Sequence, residues 1–258
     1  MVEDRIMLLR EPNSAVAEAY RSLRAKLSRP LASGKRVFMV VSSWAGDGKS
    51  MVCTNLAVAV SQLQVKVLLV DGDLRRPTLS RVFGNTEAMG LSNLLEGNAA
   101  LEQCYYPTAI DNLFTMPKGT SDQNPANLLG GDNANDVFAQ LGHAFGCVVI
   151  DTSPLAACSD ALLLGGKVDS ALMVVNPKSW DGDVEPRLKD QLLEHGIEVL
   201  GFVLNGADSS GHGYGYGYGY GYGYGYGYGS GAAYGYGDED KKPVKKRKGL
   251  LGWLKGRD

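Results

Sequence analysis

The first 208 residues alternate short, almost entirely apolar runs with longer segments of mixed polarity. Apolar runs of four to six residues are typical of strands that are buried on both faces of a parallel sheet. Such runs are found at residues 37–41, 67–70, 147–150, 171–175 and 199–204. The intervening segments of helical length are 49–62, 126–144, 158–166 and 184–195. This order predicts an α/β fold with a mostly parallel sheet flanked by helices.

One more helix is predicted before the first strand. Residues 14–27 carry apolar side chains at helical spacing, and Ser14 is suited to cap the N-terminus. Pro30 lies just beyond the predicted end of this helix, where proline is common.

The composition changes abruptly after Asp208. Residues 213–229 alternate strictly between Gly and Tyr, and a second short patch surrounds Tyr234 and Tyr236, so that ten of the thirteen tyrosines lie here. Glycine at every second position makes ordering costly, and no aliphatic side chain is present to form a core. We expect a flexible tail over residues 209–237. The alternative is an aromatic strand, which the glycines would weaken.

The net charge of −2 is unevenly distributed along the chain. Residues 238–258 carry eight basic and four acidic side chains, whereas the other 237 residues carry 18 basic and 24 acidic ones. We therefore divide the chain into a folded domain (1–208), the Gly-Tyr tail (209–237) and a basic C-terminal segment (238–258). No run approaches 18 apolar residues, and the N-terminus lacks the apolar run of a secretory signal, which predicts a cytoplasmic protein.

The strongest chemical motif follows the first predicted strand and opens a predicted helix. Residues 42–50 read SSWAGDGKS, close to the phosphate-binding pattern GxxxxGK[ST] except that Ser43 replaces the first glycine. In such a loop, backbone N–H groups and the helix N-terminus bind phosphate oxygens. Lys49 would reach the β- and γ-phosphates, and the Ser50 hydroxyl would bind Mg²⁺.

Three carboxylates follow two other predicted strands. Asp71 and Asp73 end the run VLLVDGD, and Asp151 ends CVVID. Because positions i and i+2 of a strand face the same side, both side chains of the first pair can point at one metal-phosphate site. The position of Asp151 suits an aspartate that orders Mg²⁺. The alternative for an isolated Asp after a strand is a cap or a turn.

The succession of phosphate loop, VDGDLRRP (70–77) and VVIDTSP (148–154) resembles the bacterial tyrosine kinases of polysaccharide export, the BY-kinases. The segments 12–27, 90–97, 112–129 and 203–211 and the C-terminal tyrosine cluster are also similar to that family. The resemblance implies ATP and Mg²⁺ as ligands. It assigns Lys49, Asp71 and Asp73 to catalysis, with Asp71 as the base that deprotonates the incoming tyrosine, and Ser50, Asp73 and Asp151 to Mg²⁺. The predicted nucleotide-binding residues are Ala45, Gly46, Asp47, Gly48, Lys49, Ser50 and Met51.

The same resemblance implies an assembly and a substrate. Glu18, Arg21 and Arg24 form the family's ExxRxxR pattern and would contact a neighbouring subunit in a ring-like homo-oligomer. The alternative is an exposed helix with i,i+3 ion pairs. Phosphorylation of the tail would occur in trans, and the implied partner is the cytoplasmic segment of a transmembrane polysaccharide co-polymerase. The predicted phosphoacceptors are Tyr214, Tyr216, Tyr218, Tyr220, Tyr222, Tyr224, Tyr226, Tyr228, Tyr234 and Tyr236.

Two other functions fit parts of the sequence. A non-kinase ATPase of the positioning or partitioning class explains the phosphate loop and aspartates, but Trp44 stands where that class carries its signature lysine, and the tyrosine cluster stays unexplained. A nucleotide-gated scaffold would instead use the tail for association by stacking. The basic segment 238–258 suits contact with an anionic membrane surface, and its alternatives are a solvated end or docking onto the acidic domain. No nucleic-acid partner is predicted.

Overall fold

The computed structural model describes residues 6–207, so the predicted tail and basic segment lie outside the described residues. The strands are β1 Val37–Ser42, β2 Val67–Asp71, β3 Tyr106–Pro107, β4 Leu113–Met116, β5 Cys147–Asp151, β6 Ser170–Val175 and β7 Val199–Leu204. The α-helices are α1 Met7–Arg10, α2 Ala15–Ala32, α3 Lys49–Ser61, α4 Leu79–Phe83, α5 Leu91–Leu95, α6 Pro125–Gly130, α7 Asn133–Ala144 and α8 Val184–Glu194. Short 3₁₀ helices span Leu101–Gln103 and Asp160–Leu164.

The strands form one sheet in the order β3-β4-β2-β5-β1-β6-β7. Every neighbouring pair is parallel except β3 and β4, which are antiparallel. The predicted α/β class with a mostly parallel sheet is therefore confirmed. In sheets of this kind, ligands bind outside the carboxyl ends of the strands, where β1, β2 and β5 end here.

Helix α3 lies against the centre of the sheet and has no polar face. Eleven of its thirteen residues are buried, because α1 and α2 cover the side that faces away from the strands. Alternate positions of the strands, such as Val67 and Leu69 of β2 and Cys147 and Val149 of β5, pack into the same apolar cluster. Asp71 and Asp151 continue this alternation, so their side chains leave the sheet on the α3 side.

Some predicted boundaries were wrong. Helix α2 continues past Pro30 to Ala32, because only its last turn loses a hydrogen-bond donor. The predicted helix 126–144 is divided into α6 and α7 by Gly130 and Gly131, the latter in an extended conformation. The predicted helix 158–166 is only a 3₁₀ turn. Ser14 does cap α2, accepting a hydrogen bond from the Ala17 N–H.

Two strands had no prediction. Strand β3 has two residues and forms one edge of the sheet, and β4 has four residues and lies between β3 and β2. Among residues 6–207, no helix is long and apolar enough to cross a membrane.

Candidate active site

The phosphate loop connects β1 to α3 and depends on two glycines in the left-handed region. Gly46 has φ 91° and Gly48 has φ 90°, conformations that side-chain-bearing residues rarely adopt. A Cβ atom at Gly48 would also lie only 1.9 Å from Nδ2 of Asn205. The N-terminus of α3 at Lys49 therefore faces a loop whose backbone can approach phosphate oxygens closely.

Ser43, which replaces the first glycine of the motif, requires no glycine conformation. Gln64 and Asn112 are the non-glycine residues with positive φ between residues 6 and 207, and Ser43 is not one of them. Its side chain is buried, and its hydroxyl has no hydrogen-bond partner within the described part of the chain. A buried hydroxyl without a partner is rare, and one beside a phosphate loop is suited to a ligand that accepts hydrogen bonds.

The loop is held by side chains from two distant parts of the chain. The Asp47 carboxylate accepts hydrogen bonds from the Trp44 N–H (2.9 Å) and the Ser179 hydroxyl (2.6 Å). The Asp47 carbonyl accepts a hydrogen bond from Asn205 Nδ2 at 2.8 Å. Ser179 follows β6 and Asn205 follows β7, so the ends of both strands fix the loop. We refer to Asp47, Ser179 and Asn205 as the loop clamp.

Lys49, Ser50 and Asp151 meet beneath the loop. Lys49 Nζ lies 3.6 Å from Asp151 Oδ1, and both side chains are almost completely buried. Burial raises the pKa of Asp151, while Lys49 and a hydrogen bond with Ser50 oppose that rise. A cation, a hydroxyl and a carboxylate thus lie together at the start of α3.

Asp71 is a second buried carboxylate of the site. It is the register partner of Asp151 in the neighbouring strand, and its side chain is inaccessible to solvent. Its Oδ2 accepts hydrogen bonds from the backbone N–H and the hydroxyl of Ser80, both at 2.8 Å, while no residue in 6–207 bonds Oδ1. Burial raises the pKa of Asp71 to about 6, repulsion from Asp151 and Asp73 adds to the rise, and the Ser80 bonds oppose it.

Asp73 occupies a different position from the one that strand alternation predicted. Strand β2 ends at Asp71, so Asp73 lies in the following loop, and the same-face argument does not apply to it. Its Oδ1 accepts a hydrogen bond from the Arg76 N–H at 3.0 Å. Gly72 allows this tight path, because its N–H donates to the Asp151 carbonyl at 2.8 Å and a Cβ atom would lie 2.7 Å from that oxygen.

A cleft of about 530 Å³ opens above these residues. Of the predicted nucleotide-binding residues, all but Asp47 line it, since the Asp47 side chain is buried in the loop clamp. Asp73 also lines the cleft, whereas Asp71 and Asp151 lie behind its wall. The remaining lining residues are Arg75, Arg76, Thr78, Arg81, Ser153, Pro154, Ala157 and Cys158. A larger cavity of about 890 Å³, lined by residues such as Leu9, Phe83 and Ile110, contains none of the predicted site residues.

Residues and ligands fit each other in this cleft. Glycines at the loop, a buried lysine and an unpartnered buried hydroxyl suit a nucleoside triphosphate. Mg²⁺ would be held by Ser50, Asp73 and Asp151 together with phosphate oxygens. When bound, it would neutralise part of the negative charge of the phosphates. Within residues 6–207, no group of three or more His, Cys, Asp or Glu side chains is arranged to hold a metal unaided.

Comparison with known proteins shows the family. Residues 33–207 match the ParA family under the description NUBPL iron-transfer P-loop NTPase. Tyrosine-protein kinase YwqD of Bacillus subtilis is 31% identical over 214 residues, which cover 82% of this chain and 90% of YwqD. This chain belongs to the bacterial tyrosine-protein kinases. The predicted resemblance is therefore confirmed.

The relatives of this bacterial tyrosine kinase differ in length. Tyrosine-protein kinase Wzc of Salmonella typhi is 33% identical over 205 residues, which are 79% of this chain but 28% of Wzc. The kinase domain of the Escherichia coli tyrosine kinase ETK matches with a TM-score of 0.74 and 27% identity, covering 81% of this chain and 84% of that one. The chain thus spans most of YwqD and of the ETK kinase domain, but less than a third of Wzc.

The predicted subunit-contact residues of this kinase make contacts within their own chain. Arg21 pairs with Glu18 at 3.1 Å, and Arg24 donates to the Ala59 carbonyl at 3.0 Å. The Glu18–Arg21 pair is the i,i+3 contact that the exposed-helix alternative describes. A ring interface through these residues remains a prediction, as do the ten phosphoacceptor tyrosines, which lie outside the described residues.

Sequence reasoning missed four residues of this site. Ser80 holds Asp71, Ser179 and Asn205 hold the phosphate loop, and Asp160 accepts two hydrogen bonds from Arg75, at 2.6 and 2.9 Å. Asn205 lies within the family segment 203–211 and Ser80 lies three residues after the segment 70–77, which was a usable signal. Nothing in the pattern around Ser179 or Asp160 distinguishes these residues from ordinary loop residues.

Proposed function

We propose that this kinase transfers the γ-phosphate of ATP to the tyrosine cluster in its own C-terminal tail, in trans. The observation that carries the proposal is the buried Asp71 carboxylate with its unpartnered Oδ1, beside the Lys49–Asp151 pair. A positioning ATPase would need the same lysine and aspartates, because a water molecule that attacks the γ-phosphate also loses a proton, so the acceptor distinguishes the two functions. The sequence supplies ten clustered tyrosines as acceptors.

Each residue of the site has a distinct role in this reaction. The loop N–H groups and Lys49 hold and orient the phosphates, and the clamp preserves that geometry. Asp71 accepts the phenolic proton at Oδ1 as the tyrosine oxygen bonds to the γ-phosphorus and the bond from that phosphorus to the departing ADP breaks. The base is needed because a neutral phenol with a pKa of about 10 is a weak nucleophile. Since Asp71 lies behind the wall of the cleft, the segment between β2 and α4 must shift to admit the phenol.

Transfer in trans requires the tail to reach a neighbouring site. A Gly-rich tail of about 28 residues has a root-mean-square reach of roughly 30 Å. The described chain ends at Ala207, two residues after Asn205 of the loop clamp. The support for trans transfer comes from the ExxRxxR resemblance.

Two mixed variants distinguish these routes. The donor chain carries Phe at all ten tail tyrosines, and the acceptor chain carries Lys49→Met, which removes the cation that holds the phosphates. We expect phosphotyrosine on the acceptor chain only when both are mixed with Mg-ATP. If wild-type protein alone is labelled but the mixture of the two variants is not, transfer occurs within one chain.

We propose a cellular setting for the same reaction. The kinase acts in the cytoplasm at the inner face of the membrane, together with the cytoplasmic segment of a transmembrane polysaccharide co-polymerase, and regulates capsule or exopolysaccharide synthesis and export. The resemblance to kinases of polysaccharide export supports this setting. The basic segment 238–258 supports a contact with anionic lipid.

An anti-phosphotyrosine blot tests the activity itself. We expect purified wild-type protein to label with Mg-ATP, more strongly when the candidate partner segment is added, and Lys49→Met to stay unlabelled while remaining folded. Hydrolysis of ATP without any phosphotyrosine, with or without the partner segment, would favour the positioning ATPase.

A further inference from the structure

Three arginines line one side of the nucleotide cleft, but only one of them is neutralised. Arg75 forms a two-bond ion pair with Asp160. Arg76 and Arg81 line the same cleft, are exposed, and form no ion pair with a carboxylate among residues 6–207. The cleft therefore has a rim with two positive charges that no described acidic group balances. We refer to Arg76 and Arg81 as the arginine rim.

Local contacts hold the two rim residues near each other. The Arg81 Nε donates to the Pro77 carbonyl at 3.0 Å, which folds this side chain back from α4 toward the loop. Pro77 directly follows Arg76, whose own N–H is fixed to Asp73. Both arginines thus line the cleft from the short segment that joins β2 to α4 and from α4 itself. Arginine is the side chain best suited to bind phosphate, because its planar donors match phosphate oxygens in pairs.

The acceptor sequence presents its tyrosines at a fixed interval. Between residues 213 and 229 every second residue is tyrosine. In an extended peptide, residues i and i+2 lie on the same side and about 7 Å apart. When one tyrosine enters the cleft, its neighbours therefore point to the same side of the peptide, toward the walls of that cleft. A neighbour that already carries phosphate brings a charge of about −1.5 to −2 to the rim.

We propose that the arginine rim is a phosphotyrosine-binding subsite, which holds a phosphorylated tail tyrosine of a second copy of this chain while the next tyrosine is positioned for transfer. The proposal rests on the proposed tyrosine kinase function. The affinity of the tail for the cleft then rises with each phosphorylation, since each new phosphotyrosine can bind the arginine rim during the following transfer. Phosphorylation then proceeds sequentially along the Gly-Tyr repeat after a slower first event.

Peptide binding tests the subsite without requiring any phosphate transfer. The full chain is treated with a phosphatase, purified from it, and saturated with Mg²⁺ and a non-hydrolysable ATP analogue, so that the phosphate loop is occupied. Fluorescent GYGYGYG is compared with the same peptide carrying one phosphotyrosine, by anisotropy at low and physiological salt. The proteins are wild type, Arg76→Gln, Arg81→Gln, the double variant, and Arg187→Gln as a matched control. Arg187 is an exposed arginine on α8 that does not line the cleft.

We expect the phosphopeptide to bind wild type and Arg187→Gln about tenfold more tightly than the unmodified peptide at physiological salt, and more so at low salt. The double variant should bind both peptides equally. Equal binding by wild type, or a preference that the double variant retains, overturns the subsite. The proposed kinase function is tested by a different experiment, the anti-phosphotyrosine blot, and fails if that blot shows no phosphotyrosine. The peptide-binding experiment involves no turnover, so its outcome does not depend on the blot.

Discussion

Replacement of Asp71 by Asn separates the role of this carboxylate in folding from its role in phosphate transfer. Asp71 is inaccessible to solvent, accepts two hydrogen bonds from Ser80, and leaves Oδ1 without a partner in residues 6–207. Asn has nearly the same shape and can still accept both Ser80 bonds. It cannot carry a negative charge or accept the phenolic proton.

The effect on stability follows from the raised pKa of Asp71, about 6 in the fold against 3.8 for a free carboxyl. The folded state binds more protons than the unfolded state between these values, so stability falls as pH rises from about 4 to 6. At about 1.4 kcal/mol per pH unit, the charged carboxylate destabilises the fold by about 3 kcal/mol above pH 6. In the variant this penalty is absent, but the new amide leaves a buried donor unpaired at a cost of about 1–3 kcal/mol.

Urea unfolding of the metal-free, nucleotide-free protein at pH 4.5 and pH 8 measures this difference. We expect the variant to be less stable than wild type at pH 4.5 and as stable or more stable at pH 8. Single-turnover transfer with Mg-ATP should fall about 10²- to 10⁴-fold, the usual loss for a general base, while nucleotide affinity changes little. Parallel stability curves would refute the raised pKa, and transfer at the wild-type rate would refute the base. Asp73→Asn is the control, and should instead raise the Mg²⁺ requirement.

Three further changes test other parts of the molecule. Asn205→Ala removes a clamp hydrogen bond, so nucleotide affinity should fall about three- to tenfold in a titration with a fluorescent ATP analogue, and an unchanged affinity would make this bond dispensable. Replacing Glu18, Arg21 and Arg24 together with Ala should give a smaller species in light scattering and weaker autophosphorylation, whereas a full-size oligomer would place the contact elsewhere. Unphosphorylated protein should co-sediment with anionic vesicles through residues 241–258 and dissociate after autophosphorylation, because three phosphotyrosines outweigh the net charge of +4 on residues 238–258. Equal sedimentation by a chain without this segment would contradict the membrane contact.

The central strands could be predicted because their signal is local. Strands β1, β2, β5 and β6 are almost continuous apolar runs, since both faces of a central parallel strand are covered, and the half-buried edge strand β7 is an apolar run as well. Strands β3 and β4 could not be predicted in this way. Strand β3 is an edge strand and β4 is its neighbour, and both have four residues or fewer, so the pairing of β4 with β2 and of β3 with β4 is decided by tertiary contacts.

The helix errors have a similar cause. Pairs of glycines lower helix propensity without excluding a helix, so the break between α6 and α7 could be read only from the conformation of Gly131. Pro30 is a strong stop signal in a sequence, but its position in the last turn of α2 removes little hydrogen bonding. In both cases a local propensity of about 1–3 kcal/mol is smaller than the packing free energy of a whole helix.

The phosphate loop shows why a motif describes a site incompletely. The pattern GxxxxGK[ST] identifies residues that contact phosphate, but the shape of this loop depends on the loop clamp, whose members are up to 158 residues apart. Because Asn205 lies against Gly48 and bonds the Asp47 carbonyl, the left-handed turn is fixed from outside the motif. A glycine at position 43 is then unnecessary, since the backbone there has no positive φ. Ser43 in place of the first glycine of the motif is therefore a substitution that the surrounding fold permits.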